Sequence, residues 1–324
     1  MRADELLESP EPMKTAVLIP CYNEEKAVAS VIRSFRAALP DADIYVYDNN
    51  SRDRTVEVAR AAGAIVRSEP LQGKGNVVRR MFADIEADIY VMTDGDETYH
   101  APSAPMMIEK LVSENLDMVV GSRLKTDVSE AFRAGHHFGN RLLTGAVSRI
   151  FGDRFQDMLS GYRVFSRRFV KSFPAVSAGF ETETELAVHA LSLRMPVAEV
   201  ETPYGARPEG STSKLRTYRD GFRILFMIGL LFKEEKPLAF FSLLCLLLAI
   251  ISVLLSAPVL VTFFETGLVP RLPTALLSTG IMLLGFLSLV CGFILDNVTR
   301  GRREFKRLVY LAFPSPAAVA RQKK

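Results

Sequence analysis

Ile89-Tyr90-Val91-Met92-Thr93-Asp94-Gly95-Asp96-Glu97-Thr98-Tyr99-His100 carries an apolar strand straight into an acidic turn. Two carboxylates one residue apart, at the mouth of a buried strand, suit a hard divalent cation such as Mg²⁺ or Mn²⁺, which takes oxygen ligands and keeps waters and substrate phosphates in its shell. A second reading stands beside it on this stretch alone: a solvated strand-end turn, since Asp and Gly are ordinary turn residues. The flanking sequence decides between them.

Upstream, Lys14 to Ile19 is a short apolar strand followed by the polar turn Pro20-Cys21-Tyr22-Asn23-Glu24-Glu25. Val28, Val31, Ile32, Phe35 and Leu39 then recur at helical spacing, so a helix packs back on that strand. Ile44 to Tyr47 is a second strand, ending in Asp48-Asn49-Asn50-Ser51-Arg52-Asp53; Val56 to Ala62 is a helix closed by Gly63, and Ala64 to Arg67 a third strand. Gly73-Lys74-Gly75 opens a helix with an apolar face of Val77, Val78, Met81, Phe82 and Ile85, and the strand quoted first follows it. Strict β-α alternation implies a parallel sheet with right-handed crossovers, and such sheets bind ligands beyond the carboxyl ends of their strands.

The three most polar turns, Tyr22 to Glu25, Asp48 to Asp53 and Asp94 to Thr98, all fall at such ends and are expected to converge on one crevice. Crowded carboxylates repel one another, and a cation is the simplest remedy. Downstream, Leu116 to Val120 is a strand ending in Gly121-Ser122-Arg123, and the mixed stretch from Lys125 to Gly152 is a candidate for a mobile segment over the crevice. Phe155 to Arg163 leads into Val164-Phe165-Ser166; Gly179 to Glu185 opens a helix, and Val197 to Val200 is a last strand. Arg207 to Lys214, rich in Gly, Ser and charge, reads as a flexible loop.

Over 324 residues the composition is 48% hydrophobic, and the apolar excess lies near the C-terminus. A net charge of +3 is too small to argue for nucleic acid. Cys21, Cys245 and Cys291 show no metal-ligand spacing, so neither a disulfide framework nor a zinc site is expected, and the catalytic part belongs in a reducing compartment. Residues 1–13 begin acidic and polar and read as a disordered arm rather than a cleavable signal.

Leu238 to Phe264 and Leu272 to Leu295 contain no charged residue. Each exceeds the roughly 20 apolar residues needed to cross a bilayer, so 237–296 is expected to form two transmembrane helices. Basic residues flank the pair on one side, Arg216, Arg219, Arg223, Lys233 and Lys236 before it and Arg300, Arg302, Arg303, Lys306 and Arg307 after it. The positive-inside rule therefore places both termini and the α/β domain in the cytosol, against the inner (plasma) membrane of a cell. Residues 207–236 are read as a basic loop plus an interfacial amphipathic helix over Tyr218 to Phe232, with Phe305 to Tyr310 similar on the exit side, and 297–324 as a basic cytosolic tail.

The set formed by Ile19-Pro20-Cys21-Tyr22-Asn23-Glu24, Asp48 to Asp53, Asp94-Gly95-Asp96, Gly121-Ser122-Arg123 and Ser160-Gly161-Tyr162-Arg163 resembles the family 2 glycosyltransferases, and within them the polyprenyl-phosphate glycosyltransferases that include dolichol-phosphate mannose synthase. The resemblance covers roughly Lys14 to Lys214. It implies a GT-A fold (a mixed, mostly parallel Rossmann-like sheet) over 14–206, a UDP- or GDP-sugar donor, Mg²⁺ or Mn²⁺, and an undecaprenyl or dolichyl phosphate acceptor; a homo-oligomer is compatible with it. By position it implies that Pro20, Tyr22 and Glu24 border the donor base, that Asp48 lies beside base or ribose, and that Asp94 and Asp96 form the metal motif. Arg123 would bind acceptor phosphate, with Arg133 a second candidate, and Asp157 matches an acidic position near the reacting centre. Arg207 and Ser213-Lys214 resemble the family's mobile basic loop. Thr98 stands where dolichol-phosphate mannose synthases often carry Gln, which puts the third protein ligand in doubt, and the absence of Trp excludes the Gln-x-x-Arg-Trp motif of processive synthases.

The implied chemistry is an inverting in-line displacement by a lipid phosphate, already largely dianionic at neutral pH and therefore in little need of a base. Asp157 is then expected to orient an arginine or the sugar, with a base role left open. Lys74 carries two readings, donor contact at a helix N-terminus and an exposed lysine at a helix start, and the second is expected. Glu181, Glu183 and Glu185 are likewise expected to be a solvated helix start. His100, His136, His137 and His189 lack ligand spacing, and Tyr162 and Phe180 are expected to pack. Two other functions stay open: transfer to a non-phosphorylated lipid, and nucleotide-sugar binding without catalysis.

Overall fold

The computed structural model describes residues 13–123, 145, 155, 157–175, 182–205, 229–230 and 232–323. Readings that fall elsewhere lie outside the described residues: the N-terminal arm, the segment after Arg123, and the basic loop with most of its interfacial helix. The chain divides into two compact units, 1–224 with 306–324, and 225–305.

The first unit holds a seven-stranded sheet of order β3-β2-β1-β4-β6-β5-β7. Its strands are β1 (Thr15–Cys21), β2 (Asp43–Asp48), β3 (Ile65–Ser68), β4 (Ile89–Met92), β5 (Met118–Arg123), β6 (Arg163–Ser166) and β7 (Val197–Thr202). β1 pairs in parallel with β2 and β4, β2 with β3, and β5 with β7. β6 is the exception, inserted antiparallel between β4 and β5, so the sheet is mixed where uniform alternation implied parallel pairing. The β4-to-β5 neighbourhood thus receives a strand entering from the opposite edge, which delivers the 157–161 loop onto the carboxyl end of β4.

Helix α1 (Val28–Ala38) buries Val28, Val31, Ile32 and Phe35, the residues its apolar spacing singles out. Helix α2 (Thr55–Ala61) follows β2, and α3 (Lys74–Asp84) buries Val77, Val78, Met81 and Phe82. α4 (Ala104–Ser113) precedes β5. Behind the sheet, α5 (Arg167–Ser172) and α6 (Thr182–Ser192) enclose an aromatic cluster in which Phe165 stacks on Phe169 at 4.8 Å and both Phe169 and Phe173 meet the His189 ring edge-on.

His189 is a core residue, 2% exposed, with one ring nitrogen 3.1 Å from Ser172 Oγ. Burial, with a smaller push from Lys306, holds its pKa down to about 3. The imidazole therefore stays neutral in the fold, while the unfolded chain takes up a proton near the ordinary value of about 6.5. Unfolded chains bind more protons throughout that interval, so stability falls as pH drops from about 6.5 toward 3. Replacing His189 with Leu is expected to flatten the fall in melting temperature between pH 7 and pH 4.5; an unchanged slope would contradict this.

The second unit is a hairpin of α7 (Pro237–Thr266) and the part of α8 (Leu272–Leu311) before Lys306, both helices being long and apolar enough to cross a membrane. The helices approach through small residues: Ser252 Oγ donates to Ser278 O at 2.7 Å, and a Cβ at Gly292 would lie 2.9 Å from that of Phe241. The end of α8 and α9 (Pro316–Gln322) belong to the first unit. Tyr310 there is buried, donates to Asp117 Oδ2 at 2.8 Å, and carries the Arg168 guanidinium over its ring. Asp117 is wholly buried and also accepts from Arg168 and Ser166. This corrects the expectation for Phe305 to Tyr310: Phe305 and Leu308 are exposed, but Tyr310 is a core residue of the sheet domain.

Candidate active site

The three polar turns meet at the carboxyl ends of β1, β2 and β4, because those strands are neighbours in register. Backbone and side chains staple the first two: Asn23 N donates to Ser51 Oγ, Arg52 N to Asn23 Oδ1, Glu24 N to Thr55 Oγ1 and Glu25 N to Asp53 Oδ2. Each turn passes through one left-handed residue, Asn23, Asn50 or Glu97. Asn adopts that conformation readily; Glu does so at a cost. The third turn is pressed against the first at Gly95, where a Cβ would stand 2.6 Å from Cys21 Sγ, so a side chain cannot be fitted there unless the buried Cys21 thiol shifts.

Pro20, Tyr22 and Glu24 are half-buried at the end of β1. Asp48 is buried and its carboxylate accepts from Ser51 N, so part of its capacity goes to holding the second turn. Asp96 is 5% exposed, and its Oδ1 accepts from Thr98 Oγ1 at 2.6 Å and from Thr98 N at 3.3 Å. Thr98, itself buried, thus orients a carboxylate. Asp94 is more open, with a side chain 31% exposed. Among the described residues no group of three His, Cys, Asp or Glu forms a metal cage. A pair of carboxylates fits a hard divalent cation that fills its other positions with phosphate oxygens and water.

Lys74 and Glu183 depart from expectation. Lys74 Nζ lies 2.5 Å from Asp94 Oδ1 and 2.6 Å from Glu183 Oε1, with side chains only 11% and 7% exposed for Lys74 and Glu183. Neither is a solvated helix-start residue. Burial alone would lower the ammonium's pKa, but the two carboxylates outweigh it and hold it above the ordinary lysine value. Lys74 is delivered by Asn49, which the sequence reading left without a role. Buried Asn49 accepts from Gly73 N at 2.7 Å and donates to Glu69 O and Leu71 O, fixing the loop before α3.

Across the crevice, Arg123 ends β5 and forms a two-point ion pair with Asp157: Nε to Oδ2 and Nη2 to Oδ1, both 2.7 Å. Desolvation opposes the charge on each group, yet the pair prevails, raising the pKa of Arg123 and lowering that of Asp157. Tyr204 lies under the guanidinium, 5.5 Å from the ring centre. The 157–161 loop rests on Arg163, a fully buried arginine that donates to Ser160 O at 2.9 Å and to Met158 O. The loop also touches the acidic turn. Gly161 N donates to Tyr99 OH at 2.8 Å, and a Cβ at Gly161 would lie 2.7 Å from Asp94 Oδ2. The structure therefore brings Pro20, Tyr22, Glu24, Asp48, Asp94 and Asp96 to one row of strand ends, with Arg123 and Asp157 joined to it through that loop. Arg133, Arg207 and Lys214 lie outside the described residues.

Comparison with known proteins bears on the family to which the chain belongs. Residues 16–173 match the family described as glycosyl transferase family 2. Glycosyltransferase AglJ of Haloferax volcanii is 37% identical over 234 residues, 72% of this chain and 77% of that protein. Dolichyl-phosphate hexose transferase of the same organism is 28% identical over 222 residues, 68% of this chain and 95% of that protein. Glucosyl-3-phosphoglycerate synthase of Mycobacterium tuberculosis, solved with Mn²⁺, UDP-glucose and phosphoglyceric acid, superposes with a TM-score of 0.56 at 25% identity, over 67% of this chain and 79% of that one. With a mixed GT-A-like sheet, an acidic turn at the end of β4 and these relatives, the chain is a glycosyltransferase and belongs to glycosyl transferase family 2.

Proposed function

We propose that this enzyme moves a single sugar from a UDP- or GDP-sugar to a polyprenyl phosphate at the cytosolic face of a membrane, with inversion at the anomeric carbon. The observation that carries the proposal is the 157–161 loop, which joins the acidic turn to a part-buried arginine–carboxylate pair. A donor diphosphate and an acceptor phosphate are both anionic, and transfer between them needs fixed positive charge on each side. Asp94 and Asp96 would hold Mg²⁺ or Mn²⁺, which when bound neutralises the leaving diphosphate. Pro20, Tyr22, Glu24 and Asp48 would flank the nucleoside. The M. tuberculosis synthase solved with Mn²⁺ and UDP-glucose supports the donor side, and the Haloferax dolichyl-phosphate hexose transferase the acceptor side.

Arg123 would hold the acceptor phosphate, since a planar guanidinium fork can grip two phosphate oxygens at once where an ammonium is a point charge. Asp157 would aim that fork. Its two oxygens are committed to Arg123 and its proton affinity is lowered, so it makes a poor base, and a dianionic phosphate hardly needs one. Arg133, Arg207 and Lys214 stay proposed contributors to the acceptor phosphate. The two apolar helices and the flanking basic residues support a hairpin anchor with both termini cytosolic.

Purified full-length protein with Mg²⁺ or Mn²⁺ is expected to release nucleoside diphosphate from a UDP- or GDP-sugar only when polyprenyl phosphate is added. Screening several sugars on each base against undecaprenyl and dolichyl phosphate identifies the pair used. No release across that screen would sink the proposal.

A further inference from the structure

We propose that Lys74 is an internal counter-cation that competes with the divalent metal for Asp94, so that the metal is taken up together with the nucleoside diphosphate rather than ahead of it. This rests on the reading of Asp94 and Asp96 as metal ligands.

The ammonium lies between two carboxylates, 2.5 Å from Asp94 Oδ1 and 2.6 Å from Glu183 Oε1. Asn49 pins the loop that leads into it, so this lysine is held at the site rather than swinging over the surface. A divalent ion seated on Asp94 would stand within a few ångströms of that positive charge, in surroundings where like charges are poorly screened. The bare site therefore resists the metal. A nucleoside diphosphate changes the balance, because its oxygens give both the metal and the ammonium a partner and let Lys74 release Asp94. Metal and nucleotide then favour each other's binding, and the coupling is reciprocal. With neither bound, Lys74 keeps Asp94 and Glu183 from facing each other as uncompensated, partly buried charges.

The test is the affinity for Mn²⁺ of the full-length protein in detergent, read from the electron paramagnetic resonance signal of free Mn²⁺, alone and with UDP or GDP. Wild type is expected to bind Mn²⁺ weakly alone and more tightly with one of the nucleotides. Lys74→Gln is expected to bind Mn²⁺ alone about tenfold or more tighter, shrinking the enhancement by nucleotide, since a positive charge beside the cation is gone. Lys74→Arg keeps the charge and should keep the weak binding. Lys74→Met supplies the same readout if the Gln variant lacks a sharp melting transition. Nucleotide-dependent Mn²⁺ binding in wild type, with no tightening in either neutral variant, overturns the counter-cation role alone. Wild type that binds Mn²⁺ under neither condition overturns the metal–diphosphate reading as well.

Discussion

Replacing Asp96 with Ala is expected to reduce sugar transfer by about a thousandfold or more, since the group it would hold bears the charge of the departing diphosphate. The fold should survive. Asp96 is buried, and the contacts its carboxylate makes within the turn are from the Thr98 hydroxyl and amide. Removing the carboxylate leaves that hydroxyl unpaired, a cost of about 1–3 kcal/mol. Asp96→Asn separates the two effects: it keeps an oxygen for Thr98 and loses the charge. Transfer should fall in both variants while the melting temperature of the Asn protein stays near wild type. Full activity in the Ala protein would overturn the metal assignment.

The second large effect is expected at Arg123. Arg123→Ala should raise the KM for polyprenyl phosphate about a hundredfold, the scale of a lost charge-assisted contact of about 3 kcal/mol, and leave the KM for the sugar nucleotide nearly unchanged. A non-phosphorylated lipid acceptor predicts the reverse, with acceptor KM hardly altered. The substitution also strands Asp157, whose side chain is 12% exposed, without its two-point partner. Breaking a buried pair costs about 3–5 kcal/mol, less here because both side chains retain some contact with water. Removing both members should therefore recover part of the melting temperature lost on removing Arg123 alone. It should not recover the acceptor KM. Recovery of both would mean that Arg123 serves Asp157 rather than the acceptor.

Much of the sheet domain was legible because its signals are local. Val28, Val31, Ile32 and Phe35 repeat at helical spacing whatever lies around them, and the buried face of α1 is those residues. Polar turns at strand ends were readable for the same reason, and parallel neighbours in register had to bring them together. The direction of β6 was not readable. Val164-Phe165-Ser166 is equally apolar in either orientation, and only its partners on β4 and β5 decide which way it runs. Tyr310 is similar: beside Lys306, Arg307 and Leu308 it has the composition of an interfacial helix, yet its hydroxyl ends on a buried carboxylate of the sheet domain.

What the sequence by itself determined is the α/β core, the two apolar spans and the row of acidic strand ends, all of which follow from periodicity and run length within a few turns of chain. What only the tertiary structure decided is the electrostatic state of that row. Lys74 and Glu183 each look like a solvated helix start, because a Gly-flanked lysine and alternating glutamates carry no local mark of burial. Folding buries both side chains and sets the Lys74 ammonium between Asp94 and Glu183, where a buried charge persists only beside its opposite. The cation that the acidic turns call for is thus supplied in part by the chain itself, from residues remote in sequence.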